Sequence, residues 1–149
     1  ERFLARCRQA GIEAARIEVR PWSKLEESAR SYHDIDIALD PFPFCGGMTS
    51  FDALWMGVPV VTLAGDLVAG RQTASMLANL GLSDLVAGDL ASYIAIAVAL
   101  ARDSAGLDHL RATLRSTFAA SPLCDHEKFT RALESAFLDL WRQRAAGSK

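Results

Sequence analysis

The chain has 149 residues, half of them hydrophobic, with 16 Lys and Arg against 18 Asp and Glu and a net charge of −2. That length buries a core within one domain, and the charge balance gives neither the basic footprint of a nucleic-acid binder nor an acidic tail. No run of eighteen apolar residues is present, so no helix is long and apolar enough to cross a membrane. The chain begins at Glu1 without Met and inside an amphipathic pattern, which reads as part of a longer protein. Cys7, Cys45 and Cys124 lie far apart with no Cys-x-x-Cys pair. This usage suggests reduced thiols in a cytoplasmic protein, with neither a disulfide framework nor a zinc site.

Phe3, Leu4, Cys7 and Ala10 share one helical face, and Gly11 ends that helix. Arg16 to Val19 reads as a short strand, broken by Pro21-Trp22. Ser23-x-x-Glu26 forms a capping-box pattern for a helix running to about Tyr32. Ile35, Ile37 and Leu39, with Ala38 between, make a buried parallel strand closed by Asp40-Pro41.

Gly46-Gly47 then allows a tight turn and leaves no side chain in the way of a ligand. Thr49 or Ser50 caps a helix that stops at Gly57, and Val58 to Leu63 is the next strand. A turn of this kind, between a strand end and a helix start, presents N–H groups and the positive end of a helix dipole to an anion. Two plainer readings stand beside it. Paired glycines are ordinary turn residues, and Thr49-x-x-Asp52 is also a capping-box pattern.

Val68 to Leu80 reads as a helix ended by Gly81, with Arg71 expected to pair with Asp66. Leu85-Val86 is a brief strand. Asp89 caps a helix from Leu90 to Arg102 with Leu90, Ile94, Ala97 and Ala101 turned inward. Leu107, Leu110, Leu114 and Phe118 mark another helix, and Ser121-Pro122 breaks the chain. The last helix, about Asp125 to Ala145, is expected to bury Phe129, Leu133, Phe137, Leu140 and Trp141. Gly147-Ser148-Lys149 reads as a loose tail. Alternating helices and strands predict an α/β fold with a parallel sheet and a helical C-terminus.

Asp36 to Phe44, then Gly46-Gly47-Met48-Thr49, then Asp52 to Leu63, closely resemble the bacterial O-linked N-acetylglucosamine transferase-like proteins, the family that includes the plant SPINDLY proteins. The resemblance continues through Gly70 to Ser75, Ser121-Pro122-Leu123 and the helix of Trp141. It implies the Rossmann-like C-terminal half of a GT-B glycosyltransferase, with the other half and tetratricopeptide repeats upstream of Glu1. It therefore implies a parallel sheet lacking its first strands, with a gap, a rearrangement or an exposed edge open to self-association. The implied activity is inverting transfer from UDP-N-acetylglucosamine to protein Ser or Thr hydroxyls, with no metal, no other cofactor and no catalytic residue in this stretch. The isolated chain is expected to be inactive.

By the same resemblance, Gly46, Gly47, Met48 and Thr49 take the diphosphate and Asp52 bonds the ribose. Lys24 lies near the nucleotide, and the backbone around Trp22 faces the uracil. Lys24 also reads as a solvated lysine at a helix start. The family usually carries Thr, or His-Thr, where this chain has Gly47-Met48, so a phosphate-bonding hydroxyl is lost at Met48. Two other readings follow from that departure. One is a non-catalytic nucleotide-binding or interaction module, and the other is a GT-B transferase using a different donor such as GDP-fucose.

Overall fold

The computed structural model describes residues 2–146; the expected tail at Gly147-Ser148-Lys149 lies outside them. A three-stranded parallel sheet runs in the order β1 (Ala38–Leu39), β2 (Val60–Leu63), β3 (Val86–Ala87). Ala38 pairs with Val60, and Thr62 with Val86. Helix α3 (Met48–Trp55) joins β1 to β2, and α4 (Gln72–Asn79) joins β2 to β3. Helices α1 (Arg2–Gln9) and α2 (Leu25–Ser31) precede the sheet. Helices α5 (Leu90–Arg102), α6 (Ser104–Ala119) and α7 (His126–Ala146) follow it. This is the α/β class expected from the alternation of elements.

β2 is central, and successive residues of a strand point to opposite faces. Val60 packs with Leu54, Val58, Leu77, Leu114 and Phe118 in the larger core under α3, α4 and α6. Val61 packs the other way, with Ala87 and Tyr93 under α5. A strand covered on both faces is largely apolar, as Val58 to Leu63 is apart from Thr62. Helix α3 ends where Gly57, at φ +81°, allows a Schellman turn: Gly57 N–H donates to Leu54 O and Val58 N–H to Ala53 O. That stop delivers the chain straight into β2.

Several expectations are corrected. Arg16 to Val19 is not a strand: Ala14–Arg16 is a 3-10 turn and the next residues are irregular. So short a run needs a paired neighbour, and among the described residues β1 pairs only with β2. The Ser23-x-x-Glu26 box does not form, because α2 starts one residue later with Lys24 at its N-cap and no side-chain cap. The strand at Ile35–Leu39 narrows to two residues, since pairing with β2 begins only at Ala38. A 3-10 turn at Val68–Gly70 delays α4 to Gln72, and the brief strand is Val86–Ala87.

Asp89 caps α5 as expected, with Ser92 completing a reciprocal box. The inward face of α5 is as expected only at Ala97. Leu90 and Ile94 are half exposed, while Tyr93, Ile96, Ala97 and Leu100 pack on the sheet. This helix is apolar nearly all round, so periodicity does not choose a face. On α7 the expected buried stripe is open: Phe129, Leu133, Phe137, Leu140 and Trp141 are all exposed. The stripe exists at helical spacing, but no element among the described residues covers it.

Candidate functional site

Asp40 follows β1 directly, and its side chain is buried at 3% exposure. Its Oδ1 accepts the N–H of Gly46 at 2.7 Å and the hydroxyl of Ser50 at 3.1 Å. Its Oδ2 accepts the hydroxyl of Thr62 on β2 at 2.6 Å. Thr73, in the first turn of α4, donates to Ser50 Oγ at 2.9 Å, and the Tyr93 hydroxyl of α5 donates to Asp40 O at 3.0 Å. Four elements thus meet at the C-terminal end of the sheet, where open α/β folds hold ligands.

The glycine turn sits on this cluster. Gly47 is the N-cap of α3, with φ +50° and ψ −113°, a conformation that favours glycine. A Cβ on Gly46 would stand 2.5 Å from Ser50 Oγ and 2.7 Å from Thr49 Oγ1. Thr49 or Ser50 had been expected to cap the helix, and neither does. Thr49 Oγ1 donates to Gly46 O at 2.8 Å, and Ser50 points to Asp40. The cap falls earlier because Asp40 draws Gly46 inward and the chain must reverse at Gly47. The Thr49-x-x-Asp52 box is absent for the same reason.

The turn's N–H groups divide in their use. That of Gly46 goes to Asp40 and that of Thr49 to Gly46 O. The N–H groups of Met48 and Ser50 have no acceptor among the described residues. They are the first and third residues of α3, where a helix leaves donors unsatisfied and its dipole is positive. Met48 is 69% exposed, so its apolar side chain stands at the surface beside its own open N–H.

The turn is also tied to the loop before α4. Cys45 donates from both N and Sγ to Ala69 O, at 3.1 and 3.0 Å. A Cβ on Gly70 would lie 2.7 Å from Pro43 O, so only glycine fits there. Burial pushes the Cys45 thiol up, but the backbone N–H groups of Thr73, Gln72 and Gly47 near its sulfur outweigh that and hold it below its ordinary value. Among the described residues no ion pair joins Arg71 to Asp66, contrary to expectation.

Two hollows flank Tyr32. One, of about 140 Å³, is lined by Asp40, Pro41, Thr49 and Ser50. The other, of about 210 Å³, lies between α2 and α3 and is lined by Leu25, Ser28, Asp52 and Trp55. The Tyr32 hydroxyl donates to Thr49 O at 3.3 Å. Burial, then the negative charge of Asp52, raises the Tyr32 pKa. The structure therefore gathers Gly46, Gly47, Met48, Thr49 and Asp52 along one helix start. Lys24 is the N-cap of α2, next to Leu25 of the second hollow. Trp22 is 90% exposed on the segment leading into α2. Sequence reasoning missed Asp40 and Tyr32 as site residues. A carboxylate at the buried end of an apolar strand was the available signal, because burial of a charge requires donors around it.

Among the described residues no group of three or more His, Cys, Asp or Glu side chains is placed to hold a metal ion.

Comparison with known proteins gives a consistent result. The profile of Glycosyl transferase family 41 matches residues 1–133. A rice protein (Oryza sativa subsp. japonica), named a probable UDP-N-acetylglucosamine–peptide N-acetylglucosaminyltransferase SPINDLY, is 40% identical over 148 residues. The match covers 99% of this chain and 16% of that protein. The UDP-N-acetylglucosamine–peptide N-acetylglucosaminyltransferase of Caenorhabditis elegans is 32% identical, over 95% of this chain and 12% of its own length. The solved structure of a Thermobaculum terrenum O-GlcNAc transferase mutant superposes with a TM-score of 0.89 at 39% identity, covering 99% of this chain and 28% of that one. The expected Rossmann-like fold of a GT-B glycosyltransferase part agrees with that superposition. The chain spans a minor part of each relative, and it belongs to glycosyl transferase family 41.

Proposed function

We propose that this chain forms the donor half-site of a GT-B transferase and holds the nucleotide of UDP-N-acetylglucosamine for transfer to Ser or Thr hydroxyls of a protein. The observation that carries the reading is the start of α3. Two unengaged N–H groups, of Met48 and Ser50, lie within the turn ahead of Asp52, which borders a hollow beside α2. In this reading the N–H groups face the diphosphate and Asp52 accepts from the ribose hydroxyls. Lys24 adds a positive charge from the start of α2. The names of the relatives above support the choice of donor and acceptor class.

The chemistry follows from charge. An acceptor hydroxyl attacks the anomeric carbon in line with the departing UDP, and the acceptor is held by the remainder of a longer protein. As the bond to the sugar breaks, the diphosphate gains negative charge. Donors fixed before the reaction stabilise that charge without reorganising. Met48 brings no hydroxyl to the phosphate, so its contribution is the backbone N–H alone. The exposed Met48 side chain is the one feature favouring a second reading, in which this site serves another donor such as a GDP-sugar or binds nucleotide without catalysis.

Calorimetric titration of the full-length protein with UDP, GDP and UDP-N-acetylglucosamine separates these readings. UDP and its sugar should bind, and GDP should bind distinctly more weakly. Asp52→Asn keeps the shape and removes the charge, and charge-assisted hydrogen bonds are roughly twice as strong as neutral ones. The substitution should weaken UDP binding by about 1–2 kcal/mol, or roughly five- to thirtyfold. Because Asp52 caps nothing, the melting temperature should hardly move. Unchanged UDP affinity in Asp52→Asn would remove the ribose role, and tighter binding of GDP would establish the other donor.

A further inference from the structure

We propose that the buried carboxylate of Asp40 is the positioning residue of the diphosphate turn, an inference that rests on the donor reading above. Asp40 touches no ligand in this account. It acts through Gly46, by deciding which way the peptides of the turn face.

A carboxylate at 3% exposure needs partners. No ion pair among the described residues involves Asp40. Its partners are three neutral donors instead, and they are sorted by oxygen. Oδ1 takes Gly46 N–H and the Ser50 hydroxyl, both on the turn and the first turn of α3. Oδ2 takes Thr62 on the central strand. One rigid group therefore fixes the turn against β2. The Tyr93 hydroxyl holds the backbone of Asp40 itself from the opposite layer.

The consequence lies in the direction of the N–H groups. With Gly46 N–H held inward at 2.7 Å, the chain reverses at Gly47, and the N–H groups of Met48 and Ser50 that follow have no acceptor among the described residues. A simple space-filling residue at position 40 would leave Gly46 N–H without an acceptor under the turn. That group would then turn toward water, and the placement of the Met48 and Ser50 donors, set by the turn, would change. The turn has little slack, because a Cβ at Gly46 would already stand 3.0 Å from Asp40 Oδ1.

The test uses Asp40→Ala, Asp40→Asn and Thr62→Val in the full-length protein, with UDP titration and thermal melting on each. Thr62→Val removes the strand-side bond and leaves Gly46 held. It should lower the melting temperature while UDP affinity stays within about twofold of wild type. Asp40→Ala should weaken UDP about tenfold or more, measured well below its melt. Asp40→Asn keeps a carbonyl oxygen for Gly46 and should recover most of that loss, leaving a weakening of about threefold. If Asp40→Ala does not fold, the comparison of Asp40→Asn with Thr62→Val decides. Weakened UDP in the first and not in the second supports positioning; equal effects would make Asp40 merely structural and overturn it. Wild type that binds UDP, beside an Asp40→Ala variant with the same affinity, overturns this inference alone. Wild type that binds no UDP overturns the donor reading and this inference together.

Discussion

Phe118→Ala is expected to destabilise the chain by about 3–5 kcal/mol, a large share of the roughly 5–15 kcal/mol that holds a domain folded. The Phe118 side chain is fully buried. Its ring meets Phe51 edge-on at 4.6 Å and Trp55 edge-on at 5.7 Å. Both partners lie on α3, the helix that carries Asp52 and begins at the glycine turn. Arg115, also on α6, stacks over Trp55 at 4.8 Å. Removing Phe118 therefore leaves a cavity under α3 and loosens the element that aims the site. Denaturant titration should show the loss, with a smaller one for Phe118→Leu, which refills part of the space. A loss under about 1 kcal/mol would mean that this aromatic cluster is not the core contact described.

Gly47→Ala is the second large effect, and it falls on the site. At φ +50° and ψ −113°, a side chain is strained whatever the space around it, at a cost of about 1–3 kcal/mol. A Cβ would also stand 2.8 Å from Gln72 Oε1. That oxygen is the tip of a flexible side chain and moves aside cheaply, so the backbone carries the penalty. The turn should relax toward a negative φ, and the N–H groups of Met48 and Ser50 should shift from their present positions. UDP affinity should fall by about tenfold or more together with stability. Gly88→Ala is the control. Nothing lies within 4 Å of a Cβ there, and stability should change by no more than about 0.5 kcal/mol.

Much of the fold was legible because local chemistry and packing agreed. Val58 to Leu63 is apolar apart from Thr62, and it is the strand with cover on both sides. Asp89 capped its helix because Ser92 stood where a box needs it. The failures came where a distant partner decided. Arg16 to Val19 has strand-forming residues and no neighbour to pair with. Helix α5 is apolar on most sides, so its contact face was chosen by the sheet and by the Tyr93 bond to Asp40 rather than by spacing. The α7 stripe was read correctly as a stripe and wrongly as buried, because periodicity reports a face and never what covers it.

The site shows the same division. The turn at Gly46-Gly47 was readable from its place between a strand and a helix, whereas Asp52 was singled out by the family resemblance and read from spacing alone as part of a capping box. That Gly47 rather than Thr49 or Ser50 would be the cap was not readable. It depends on the hydrogen bond from Gly46 to a carboxylate six residues earlier. Asp40 looked like the end of a strand, and only the placement of Thr62 on the next strand reveals it as a hub.

Hydrogen exchange on the full-length protein, with and without saturating UDP, tests the central claim most directly. The N–H groups of Met48 and Ser50 have no acceptor among the described residues, so without ligand they should exchange fast, while that of Gly46, held by Asp40, should exchange slowly. UDP should slow Met48 and Ser50 markedly, with weaker protection at the start of α2 near Lys24 and Leu25, and leave α7 unchanged. UDP binding that protects another part of the protein, with Met48 and Ser50 still exchanging freely, would contradict the account.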